Sequence, residues 1–142
     1  ITPLNTAADT VSNYEDLDYE IDISYHYDYF NLGKANLIKA YSNEKESVDF
    51  INSKIWDLVY IDGSHDYEIV KLDVLNSLRN LNKNGLLALD DSSLYQKFDT
   101  DQIKNKAFKG HPGPSKVCSE LMKSEEISLL FGVGHINIFI KK

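Results

Sequence analysis

Trp56-Asp57-Leu58-Val59-Tyr60-Ile61-Asp62-Gly63-Ser64-His65 and Gly85-Leu86-Leu87-Ala88-Leu89-Asp90-Asp91-Ser92 decide how this chain folds. Each is a short apolar run that stops at aspartate, and an amphipathic stretch lies between them. A strand, a helix and a parallel strand bring two strand C-termini to one sheet edge. In open α/β sheets that edge is where ligands bind. Asp62, Asp90 and Asp91 are therefore expected to converge, with His65 beside them.

Working outward, Asp66 to Leu81 places Val70, Val74, Leu78 and Leu81 on one helical face, and Asn82-Lys83-Asn84-Gly85 ends the helix with turn chemistry. Upstream, Asn36 to Tyr41 reads as a strand. Ser42 or Asn43 then caps a helix running to about Asn52, with Glu44 and Glu46 in the first turn, where the helix dipole favours acids. Downstream, Asp91 to Pro114 is polar and irregular, with a short helix expected near Ser93 to Phe98. Pro114 suits the first turn of a helix over Ser115 to Met122. Ile127 to Phe131 and His135 to Ile140 form an antiparallel hairpin across Gly132-Val133-Gly134. The fold class is α/β: a Rossmann-like, mostly parallel sheet with helices on both faces and a C-terminal antiparallel hairpin. Residues 1–142 read as a single domain, in which 34–142 carry the fold. Residues 1–33 are a variable acidic segment rich in tyrosine, expected as a surface helix or loop with buried rings, or else as a wall for a bound acceptor.

Composition narrows the function. A net charge of −7 argues against nucleic-acid backbone binding, which needs a basic footprint. The single cysteine, Cys118, excludes an internal disulfide framework and fits the reducing cytoplasm; on its helix it reads as a packed thiol. No apolar stretch approaches the roughly 20 residues of a membrane span.

The order of these elements, with the wording Ile61-Asp62-Gly63-Ser64-His65-Asp66-Tyr67 and Gly85-Leu86-Leu87-Ala88-Leu89-Asp90-Asp91, resembles the C-terminal two-thirds of a class I S-adenosylmethionine-dependent methyltransferase of the small-molecule O-methyltransferase branch. The terminal hairpin, Leu130 to Phe139, matches the last two strands of such enzymes. The family's glycine-rich cofactor loop and the acidic end of its second strand have no counterpart in this chain. Ile1 to Leu4 would then be the remnant of that second strand, and this piece alone is not expected to be a competent enzyme.

Three adjoining carboxylates repel unless a cation sits among them, and an all-oxygen set suits magnesium, calcium or manganese. The resemblance points the same way: Asp62 matches the first metal aspartate and Asp90-Asp91 the acidic pair after the next strand. It also gives Asp62 a place in catalysis and at the cofactor. His65 stands where related enzymes carry a lysine general base, and an imidazole titrates near neutrality. Tyr41 and Ser42 follow the strand beside which the family seats adenine. His111 and His135 lie near the same edge, where satisfied structural roles are the commoner outcome. The implied activity is methyl transfer from S-adenosylmethionine to a hydroxyl of a small-molecule acceptor, assisted by Mg2+ or another divalent cation. Tyrosine-rich surface would suit a homodimer. The competing readings are a non-catalytic methyltransferase-like binding domain and a metal-dependent nucleotide-sugar enzyme. A phosphoacceptor module fails on order, because its acidic pair precedes the single aspartate.

Overall fold

The computed structural model describes residues 19–96 and 108–142. The expected remnant strand at Ile1 to Leu4 and the acidic stretch up to Asp18 lie outside the described residues, as does the end of the short helix expected near Ser93 to Phe98. The elements are α1 (Tyr19–Tyr29), α2 (Lys45–Asn52), β1 (Trp56–Ile61), α3 (Tyr67–Asn80), β2 (Leu81–Leu89), α4 (Pro112–Leu121), β3 (Ile127–Val133) and β4 (Ile136–Lys141). One sheet runs β1-β2-β4-β3. β1 and β2 are parallel, with Ile61 opposite Leu89, while β4 pairs antiparallel with both β2 and β3. The α/β class, the parallel pair joined by a helix and the closing hairpin are as the sequence implied.

The apolar stripe of α3 is buried as expected. Val70, Val74 and Leu78 pack with Ile61, Leu87, Leu89 and Phe139 of the sheet and with Val117, Cys118 and Leu121 of α4. Asp66 caps α3, its carboxylate accepting from the backbone N–H groups of Glu68 at 2.9 Å and Ile69 at 3.3 Å. Because α3 and α4 share this core, the helical cover they provide lies on one sheet face. Side chains alternate along a strand, so Leu58 and Tyr60 point to the other face, where both are exposed. No described helix is long and apolar enough to cross a membrane.

Several local expectations are corrected. Asn36 to Tyr41 forms no strand; a strand exists only through ladder partners, and among the described residues none pairs with this segment. α2 is capped at Glu44, not at Ser42 or Asn43. The Glu44 carboxylate turns back to accept from Tyr41 N at 2.8 Å, and Ser42 is drawn away to Asp73. The chain turns directly from α3 into β2 at Leu81, and the turn signal is spent inside the strand, where Asn84 takes φ 64°. α4 begins at Pro112, three residues before the expected start, with His111 at its N-cap. Residues 93–96 are not helical. On α1 the rings of Tyr25 and Tyr29 are not buried: they stack on each other at 6.2 Å and stay 62% and 70% exposed.

Candidate active site

Parallel pairing delivers the aspartates. Asp90 N donates to Ile61 O at 3.0 Å, so the ends of β1 and β2 meet, with Asp62 at the end of one strand and Asp90-Asp91 at the end of the other. Asp90 is buried and heavily coordinated. It accepts from the Tyr60 hydroxyl on Oδ2, from Asp91 N at 2.7 Å on Oδ1, and faces His135 Nε2 at 3.2 Å. Asp91 sits in the left-handed region at φ 49°, which aspartate tolerates better than most residues. This turn directs its carboxylate to His65, whose Nε2 lies 2.9 Å from Oδ2.

The Gly110-His111-Pro112-Gly113 stretch is clamped onto these two residues. Asp91 O accepts from His111 N at 2.8 Å and from Ser115 Oγ at 3.3 Å. Gly110 has φ 107°, and a Cβ there would stand 2.0 Å from Asp91 O; a Cβ at Gly113 would stand 2.1 Å from His65 O. Only glycine permits either approach. The clamp lays the His111 ring on that of His65, with centroids 3.7 Å apart and planes 16° from parallel. On the other side, Ser92 N donates to His135 O at 2.8 Å. Buried Asn137 secures that crossing, its Nδ2 donating to Ser92 Oγ at 2.8 Å and Ser93 Oγ at 2.9 Å.

Asp62 is held differently. It is exposed, yet loss of water on its inner side, then the charges of Asp90 and Asp91, raise its pKa above the ordinary aspartate value; His65 and the Tyr60 hydroxyl offset part of this. Burial, then the hydrogen bond to Asp90 and the charge of Asp62, push the Tyr60 phenol well above its usual value. Neither Asp62 nor Asp91 is a helix cap, since Asp66 and His111 occupy those positions.

A cavity of about 490 Å³ opens beside this edge, within the usual size of small-molecule sites. Tyr41, Ser42 and Asp62 all line it, together with Phe50, Trp56 and Asp73. The Trp56 indole is fixed by donation to Ile51 O at 2.8 Å. Ser42 Oγ donates to Asp73 Oδ2 at 3.0 Å, and burial raises the pKa of Asp73 while that bond opposes the rise. Asp62 belongs to the cavity wall and also feels the Asp90 and Asp91 charges, so cavity and carboxylates adjoin. Cys118 is fully buried in the core, where burial pushes its thiol up; it is packing, as expected.

Among the described residues, two groups of side chains bring ligand atoms within 4.8 Å of one another, as a cation would require: Asp90, Asp91 and His135, and His65, Asp91 and His111. Carboxylate oxygens with imidazole nitrogens are a chemically suitable donor set for a divalent ion. Asp62 is in neither group. Asp90 and Asp91 thus meet where the sequence placed them, but with imidazoles around them. His111 and His135 are readable from sequence only as neighbours of the edge. The signal that could have found them is that each comes directly after a glycine, where the backbone can approach the strand ends.

A search among curated proteins yields no match. A family model described as a methyltransferase domain matches residues 7–92, more than half of the chain, and takes in β1, α3, β2, Asp62, His65 and the Asp90-Asp91 pair. The α/β sheet with its parallel pair and closing hairpin, the aspartates at adjoining strand ends and this match together show that the chain belongs to the methyltransferase domain family.

Proposed function

We propose that this domain serves methyl transfer from S-adenosylmethionine to a hydroxyl of a small-molecule acceptor, at an edge that holds a divalent cation through Asp90 and Asp91 with Asp62 facing it. The observation that carries this reading is the adjacency of cavity and carboxylates. Tyr41 and Ser42 line the same 490 Å³ space as Asp62, and Asp62 is electrostatically coupled to Asp90 and Asp91. When bound, the cofactor supplies an electrophilic methyl group and the cation lowers the pKa of an acceptor hydroxyl.

The residues of this chain bind, orient and move the proton. Aromatic surface from Tyr41, Phe50 and Trp56 offers a flat apolar wall of the kind an adenine ring stacks on. His65 is placed to take the acceptor's proton, and Asp91, 2.9 Å from its Nε2, stabilises the imidazolium that forms. The His111 ring stacked on His65 limits its rotation, which favours a single geometry for transfer.

Isothermal titration of S-adenosylhomocysteine into the full-length protein, without divalent ion and with Mg2+ or Mn2+, tests this beside Asp91→Ala. Binding that strengthens with the cation in the wild type, and loses that dependence in the variant, is expected. Cofactor binding indifferent to any divalent ion would remove the cation from the reading. No binding would leave a family member kept for another purpose.

A further inference from the structure

We infer that His135 is a direct cation ligand, completing with Asp90 and Asp91 a mixed nitrogen–oxygen site for a first-row transition-metal dication such as Mn2+ or Zn2+. This deepens the proposed function and rests on its cation-holding edge, but not on methyl transfer itself.

Three observations carry it. First, one carboxylate oxygen each from Asp90 and Asp91 and a ring nitrogen of His135 lie within 4.8 Å of one another, whereas Asp62 does not join them. Second, the three are fixed by the fold. Asp90 is 8% exposed and bound by the Tyr60 hydroxyl, and the carbonyl of His135 is held by Ser92 N at 2.8 Å. Phe108 sets its edge against the imidazole, with centroids 5.6 Å apart. Third, Asp91 faces His65 Nε2 through Oδ2, at 2.9 Å, and a carboxylate has a second oxygen to offer an ion.

The second group, His65 with Asp91 and His111, is a poorer claimant. Its two rings are stacked almost parallel at 3.7 Å, and a metal lies in the plane of an imidazole that ligates it. One ring would have to leave the stack. His65 thus keeps its proton-accepting role while His135 serves the ion. Donor chemistry then sets the class of ion: imidazole suits Zn2+, Fe2+ or Ni2+, carboxylate suits Mg2+ or Mn2+, and a mixed set disfavours Mg2+.

The test is equilibrium titration of Mn2+, Zn2+ and Mg2+ into the full chain, with pulsed electron paramagnetic resonance of the Mn2+ form to detect a directly bound imidazole nitrogen. Variants are His135→Ala, His135→Gln as a milder change, His111→Ala and Asp62→Asn, each checked for folding by circular dichroism. Transition-metal binding at least about tenfold tighter than Mg2+ is expected. The nitrogen coupling and about tenfold or more of the affinity should be lost in both His135 variants, whereas His111→Ala and Asp62→Asn should keep the nitrogen coupling. Equal or tighter Mg2+ binding, nitrogen coupling that survives His135 replacement, or loss of that coupling on changing His111 or Asp62 instead would each overturn the assignment. So would absence of ion binding in a protein that binds S-adenosylhomocysteine. Ion binding through His135 without any cofactor binding would uphold this site and defeat the methyl-transfer reading alone.

Discussion

At the end of β2, Asp90 is 8% exposed and meets the Tyr60 hydroxyl, a backbone N–H and His135, and its neighbour Asp91 is clamped through its carbonyl by His111 and Ser115. At the end of β1, on the adjoining strand, Asp62 is exposed, caps no helix and shares in neither cation-capable group. The same residue type at the same level of a parallel pair thus has two fates. The difference lies in the course of the chain beyond each strand. After β2 it enters a left-handed turn and is met by a glycine clamp and by the β3–β4 hairpin, so polar groups arrive from three directions. After β1 it leads within a few residues to the Asp66 cap of α3, which leaves Asp62 on the rim between cavity and cluster. Donors that are fixed before a ligand arrives lower the cost of binding it. On the proposed reading the β2 end is the holder and the β1 end its flank.

That contrast can be broken most severely at Gly110. Replacing it with alanine puts a methyl 2.0 Å from Asp91 O at a backbone φ of 107°, and the clamp must open. A loss of about 3 kcal/mol in stability is expected from overpacking and strain, measured by urea unfolding, with loss of cation binding in whatever protein remains folded. A variant as stable as wild type would mean that the clamp does not hold the β2 end. A milder probe is Tyr60→Phe, which deletes the donor to Asp90 and leaves the ring. It should cost about 1.5–3 kcal/mol, the worth of a hydrogen bond to a charged group, and weaken the cation more than Asp62→Asn does. The reverse order would make Asp62 the more firmly engaged carboxylate.

The smallest effect concerns Asp62 itself and sharpens the comparison through pH. Its pKa in the folded protein is raised, so the native state holds this proton to higher pH than the unfolded chain does. The resulting penalty is absent below the unfolded value of about 3.9 and fully present above the folded value, so stability falls as pH rises between the two. In metal-free protein, Asp62→Asn should therefore be more stable than wild type at pH 7 and indistinguishable from it at pH 3. An unchanged difference between the two pH values would show that Asp62 does not sense its neighbours.

The elements with strong patterning are legible from residues alone. β1 and β2 are apolar runs ending at acids, α3 carries Val70, Val74 and Leu78 at helical spacing behind the Asp66 cap, and Gly134 sits in the β3–β4 turn. Each is a local signal written in one segment. The strand expected at Asn36 to Tyr41 shows the limit, because strand-like residues with no partner among the described residues yield no ladder. The cap of α2 shows it again: Ser42 is a reasonable cap by composition, but Asp73, 31 residues away, claims its hydroxyl.

By itself, then, the sequence determined the α/β class, the parallel crossover and the arrival of three aspartates at one edge, since period and strand polarity are set by side chains close along the chain. Only the tertiary structure decided what surrounds those aspartates. His65, His111 and His135 come from three separate segments, and glycine-permitted approaches and hydrogen bonds between distant backbones set which of them meets Asp90 and which meets Asp91. A carboxylate's partners are a matter of a few ångströms in space, and spacing along a chain carries no such measure.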